Sequence, residues 1–88
     1  MNINDFFNQS LGRAGHEMVT GATKSYAAGT TAVIKFVTAC TPTTLTFHKG
    51  STGTYSGITY PAGYVMEFAD INTITLPAGE SAQIYFAI

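Results

Sequence analysis

The alternation of apolar and polar positions changes rhythm once along the chain. Over residues 1–15, Ile3, Phe6, Phe7 and Leu11 recur at the spacing of one helical face, and Gly12 and Gly15 then break the pattern. From His16 onward the period falls to two, with runs of Thr, Val, Ile, Tyr and Phe cut at short intervals by Gly, Pro and Asn. Strands are predicted at 17–26, 31–40, 43–48, 56–60, 64–69, 71–76 and 81–87. Turns are predicted at 27–30 (AAGT), 41–42 (TP), 48–53 (HKGSTG), 61–63 (PAG) and 77–79 (PAG). The pattern predicts an all-β chain, a small antiparallel β-sandwich or barrel-like domain of about six to seven strands spanning 16–88, preceded by an N-terminal arm or short helix at 1–15. A lone helix of that length is marginal in water, so the segment either docks on its own domain or orders on a partner.

Alternation also sorts the faces. In the last strand Ala82, Ile84, Phe86 and Ile88 point one way and Gln83, Tyr85 and Ala87 the other. An earlier strand repeats the first set as Ala32, Ile34 and Phe36, but its other face carries Val33, Val37 and Ala39, which predicts a central strand or one covered on both sides. Each copy follows a turn, "YAAGTTAVIKF" at 26–36 and "LPAGESAQIYF" at 76–86, and "YPAGYVMEF" at 60–68 is a third fragment of the same phrase. In such a turn Pro presets φ at the second position and Gly supplies the positive φ that follows. The repeat is therefore a way of building a small antiparallel fold. The polar positions Glu80, Ser81 and Gln83 are not kept in the copy, where Thr30, Thr31 and Val33 stand.

Composition narrows the function classes. Eighty-eight residues make one domain, and a chain this small buries only about 60% of its unfolded surface, so a partner is expected to supply part of its stability. Four Lys or Arg against five Asp or Glu give a net charge of −1, and 10% charged residues is low for a soluble domain. That balance argues against nucleic acid and against an anionic membrane as partners, and the apolar runs are far shorter than the roughly 20 residues of a spanning helix. The surface must be built from Thr, Ser, Gly, Asn and Tyr, with little electrostatic protection against association, which predicts a homo-oligomer or attachment to a scaffold. The opening MNINDFFNQSLGR has no basic region followed by an apolar core, so synthesis in a cytoplasm is expected.

The residues that carry chemistry are sparse. Cys40 lies in an apolar run and reads as a small buried hydrophobe. His16 and His48 have no close ligand spacing with it, so no metal is expected. Glu67 and Asp70 form the one close acidic pair, read as an exposed strand residue and a turn residue rather than an acid and base. No phosphate-cradling or nucleophile motif is present, so the chain is expected to be no enzyme and to take no cofactor. Tyr55 and Tyr64 flank Gly-rich turns and are the candidates for a sugar-stacking platform.

The run VIKFVTACTPTTLTF, the Gly/Ser/Thr hairpin after it, and YPAGYVMEFADINTITLPAGESAQIYFAI together resemble small structural proteins of tailed bacteriophage virions over roughly residues 30–88. The resemblance lies in the succession of PAG turn, short strand, I-x-x-I-T-L run, second turn and final aromatic strand, not in an invariant motif. It implies a non-enzymatic virion component assembled in the host cytoplasm. A capsid decoration or cement protein is favoured, a homo-oligomer, most often a trimer, that binds the major capsid protein or another virion protein and stabilises capsomer contacts. The family supplies no catalytic residues. Contact residues expected from the chain itself are Ile3, Phe6, Phe7 and Leu11 on the arm, His48, Lys49 and Tyr55 in the hairpin, and Tyr64. The alternative is a carbohydrate- or host-receptor-binding β module of a phage tail or fibre.

Overall fold

The computed structural model describes residues 15–49 and 54–87. Its elements are β1 (His16–Thr20), β2 (Thr23–Ser25), β3 (Thr31–Phe36), β4 (Thr44–Phe47), β5 (Val65–Glu67), β6 (Ile71–Thr75) and β7 (Ser81–Phe86). They form two antiparallel sheets, a four-stranded one in the order β1-β7-β3-β5 and a three-stranded one in the order β2-β6-β4. The all-β sandwich expected from the period-two pattern is the observed fold. The candidate residues Ile3, Phe6, Phe7 and Leu11, and Ile88, lie outside the described residues.

Every odd-numbered strand belongs to the larger sheet and every even-numbered one to the smaller, so each connection crosses the sandwich. The pairs β1·β7, β2·β6 and β3·β5 make one long two-stranded ribbon, which the added pairings β3·β7 and β4·β6 roll into a barrel-like sandwich. Among the described residues this is the connectivity of a jelly roll with seven of its eight strands.

The repeated phrase marks three of these crossings. Thr30, Tyr64 and Glu80 donate their N–H groups to the carbonyls of Ala27, Pro61 and Pro77, and Gly29, Gly63 and Gly79 stand third in each turn with φ of 80°, 86° and 85°. That is the third position of a type II turn, so Pro occupies the first position and Ala the second, a correction to the order read from the sequence. Each turn ends at the start of β3, β5 or β7 and delivers the chain into the larger sheet. The two full copies then lie side by side, with Ile34 opposite Ile84 and Phe36 opposite Ala82. Ala82 gives the room that Phe36 fills, and burying that ring is worth about 3 kcal/mol.

Crossings in the other direction are built differently. The stretch read as one strand at 17–26 breaks at Gly21, whose φ is 52° and whose hypothetical Cβ would stand 3.1 Å from Ala78 Cα. Its two halves enter different sheets, and each keeps the pattern of a strand because each is one. The stretch 31–40 ends as a strand at Phe36, and the chain then turns across toward β4 with Pro42 buried. No strand forms at 56–60; Tyr60 makes a single bridge to Cys40, because its ring, with its hydroxyl bonded to the Tyr55 carbonyl, packs on the core instead. Between β5 and β6, Phe68 adopts a left-handed φ of 58°, and Ala69 N–H donates to the Ala32 carbonyl at 2.7 Å.

The core joins Val19, Ile34, Phe36, Ala82 and Ile84 of the larger sheet to Leu45, Ile71 and Ile74 of the smaller. Phe36 and Tyr60 stack with centroids 4.7 Å apart and planes 2° from parallel. Cys40 is fully buried, as its apolar neighbours in sequence suggest. Thr31, the buried polar residue, ties the 68–70 crossing to β3: its hydroxyl donates to the Ala69 carbonyl at 2.7 Å and accepts the Ile71 N–H at 2.8 Å.

Candidate docking surface

The two outer faces of the sandwich differ in chemistry. On the smaller sheet, Thr23, Thr75 and Thr44 stand in one cross-strand row, and Ser25, Thr73 and Thr46 in the next. The β2 and β6 hydroxyls bond to each other, Thr23 to Thr75 at 2.9 Å and Ser25 to Thr73 at 3.2 Å, so this face is polar and uncharged.

On the larger sheet the outward rows are His16–Tyr85–Val33–Glu67 and Met18–Gln83–Lys35–Val65, with Val37 following on from β3 beside Ser81. Tyr85 hydroxyl donates to Gln83 Oε1 at 3.0 Å, and Gln83 Nε2 donates to His16 Nδ1 at 2.9 Å, which fixes a polar strip on β1 and β7. Around that strip Met18, Val37 and Val65 are 50%, 42% and 46% exposed. Of the two readings of Val33, Val37 and Ala39, a central strand or one covered on both sides, the first is observed: β3 is central in its sheet, while Val37 and Ala39 are exposed and Val33 half-buried, since the described residues lay nothing over this face. At its rim stand Tyr64 and Phe68, 44% and 71% exposed. Tyr64 leans on Tyr60 and Phe36, with centroids at 5.5 and 6.2 Å.

The other predicted contact residues do not gather with Tyr64 into one patch. His48 Nε2 donates to the Tyr26 carbonyl at 2.8 Å and its main-chain N–H to the Asp70 carbonyl at 3.0 Å, so the ring links the end of β4 to the end of β2 and the main chain links it to the start of β6. Lys49 is exposed beyond it. Tyr55 is half-buried and packs edge-on against Phe47 at 5.0 Å. Tyr55 and Tyr64 both border Tyr60, with Tyr55 half-buried and Tyr64 44% exposed. Burial, and then the neighbouring Tyr64 and Tyr55, push the Tyr60 hydroxyl above its usual range and keep it neutral.

The acidic pair also separates: Asp70 Oδ1 accepts the Gly29 N–H at 2.9 Å while Glu67 is exposed on the outer face. A second polar cluster closes the β1–β2 corner. Tyr26 hydroxyl donates to Glu17 Oε1, and Lys24 Nζ lies 4.0 Å from Glu17 Oε2. Among the described residues, no three His, Cys, Asp or Glu side chains converge as metal ligands.

Met18, Val65 and Phe68 were not singled out from the sequence. Met18 and Val65 are one residue out of step with the inward positions of their strands, a signal that the alternation held. Phe68 gave no such signal, because its exposure comes from a backbone turn and not from strand parity. Set against family models, curated proteins and solved structures, the chain matches none of them.

Proposed function

We propose that this chain is a non-enzymatic structural protein of a tailed-phage virion, a decoration or cement protein that seats on the head through the outer face of its larger sheet. The observation that carries this reading is the asymmetry of the two outer faces. One is an uncharged array of Ser and Thr hydroxyls; the other exposes Met18, Val37 and Val65 beside a single Lys35 and a single Glu67. Exposed apolar side chains grouped on one face mark a protein contact surface, and the low net charge leaves it open to association. Many copies on one particle would turn modest contacts into a firm clamp. The jelly-roll connectivity is shared by capsid and sugar-binding domains alike and so does not choose between them. Ile3, Phe6, Phe7 and Leu11 remain part of the proposal as a second, apolar contact from the arm.

The test is co-sedimentation of the full-length protein with undecorated heads. Wild type is expected to pellet with the particles, and a Met18→Lys/Val37→Lys variant, which alters only outward side chains, to stay in the supernatant while melting like wild type. A protein that ignores heads but binds a defined glycan on an array would overturn this reading in favour of a receptor-binding module.

A further inference from the structure

We propose that β5 is a self-pairing edge: two copies join β5 to β5 antiparallel about Met66, making one continuous eight-stranded sheet across a twofold axis. The parity of the backbone is the first support. Phe36 N–H donates to the Tyr64 carbonyl at 2.9 Å and Val37 N–H to the Ser81 carbonyl at 3.0 Å, so even-numbered residues of β5 face β3 and the odd-numbered Val65 and Glu67 turn their N–H and C=O groups to the open side. Among the described residues nothing meets them. A register with Met66 opposite Met66 sets Val65 of each copy against Glu67 of the other, the arrangement in which all four main-chain groups of each strand find partners.

The side chains are self-complementary in the same register. Val65 meets Glu67, so no like charges face one another, and the outward row becomes Lys35–Val65–Glu67–Val33, with the last two from the second copy and a cation and an anion flanking a valine. Tyr64 of one copy comes opposite Phe68 of the other. Phe68 is held in a left-handed conformation rare for a bulky residue, with its ring in solvent, which is the condition expected of a side chain positioned for a partner. The other edges lack this combination. Along β4 the Leu45 N–H is already taken by Ser56 Oγ at 2.9 Å, and β2 is Thr-Lys-Ser with no apolar side chain. β1 carries no aromatic ring beyond His16. An isologous edge gives a dimer rather than the trimer that the phage resemblance implies.

The experiment is sedimentation velocity with amide hydrogen exchange on the full-length protein. Wild type is expected to be a dimer, with exchange at Val65 and Glu67 slowing as concentration rises and exchange at His16 and Met18 unchanged. Val65→Glu sets two like-charge pairs against each other and should raise the dimer dissociation constant about tenfold or more. The double variant Val65→Glu/Glu67→Lys restores opposite charges and should recover the dimer, a rescue that a merely misfolded variant would not show. A monomeric or trimeric wild type, or a dimer indifferent to Val65→Glu, would overturn the proposal. Head binding is read in a separate assay, so either idea can fail while the other stands.

Discussion

Thr31→Val removes a hydroxyl and almost nothing else. The residue is 3% exposed, and valine keeps its shape and branching. Two bonds vanish together, the donation to the Ala69 carbonyl at 2.7 Å and the acceptance from Ile71 N–H at 2.8 Å, each worth about 1 kcal/mol. The Ile71 N–H, whose side chain is fully buried, is then left without a partner, which adds about 1 kcal/mol or more. A loss near 3 kcal/mol is a large part of the stability of a domain this size and corresponds to a fall in Tm of about 12–24 °C. Thr31→Ser is the control: it keeps both bonds and gives up one methyl group, about 1 kcal/mol. Urea unfolding of the three proteins reads the difference directly. A valine variant within about 0.5 kcal/mol of wild type, or a serine variant as weak as the valine one, would refute the idea that this hydroxyl holds the 68–70 crossing in place.

Gly21→Ala should cost about 1–2 kcal/mol, since the corner needs φ of 52° and the new methyl would meet Ala78 Cα at 3.1 Å; a thermal melt indistinguishable from wild type would show that the corner can relax. Phe68→Gly should leave the monomer unchanged or more stable by about 1 kcal/mol, by releasing the left-handed strain of a mostly exposed residue, while weakening self-association; a clear loss of monomer stability in urea would contradict this. Stability should fall as pH rises above about 10. Burial, then the bond to Glu17 and its charge, hold the Tyr26 hydroxyl above its usual range, so the unfolded chain loses its proton first and alkali favours unfolding. Tyr60 acts in the same direction, so Tyr26→Phe should make the alkaline decline shallower without abolishing it, as read from urea midpoints between about pH 8 and 11.

The sandwich was legible in the sequence because its signals are local. Period-two alternation marks strands, and the glycines at 29, 63 and 79 mark turns whose φ no other residue adopts as readily. The repeated Ala-x-Ile-x-Phe identified two strands that prove to be neighbours at the centre of one sheet. What the pattern could not give was which sheet each strand enters. The 17–26 run carries no Pro or Asn and a single Gly to mark a break, yet a close approach of Gly21 to Ala78, fifty-seven residues later, accompanies its division between two sheets. Likewise the polar positions are not kept between the two copies of the repeat, yet Thr31 is buried in the crossing and Glu80 Oε1 accepts the Thr41 N–H. Such roles depend on partners distant in sequence. The candidate surface was less legible: the apolar Val37 was read as a sign of a central or covered strand, yet it is 42% exposed, and the exposure of Phe68 depends on a backbone angle that its residue type does not announce.

Cryo-EM of the intact particle tests the account most directly. The map is expected to show this sandwich on the outside of the head, with Met18, Val37 and Val65 against capsid protein and the Ser/Thr face of the smaller sheet in solvent. Density that places the hydroxyl face against the capsid, or heads that carry no copy of the chain, would contradict it.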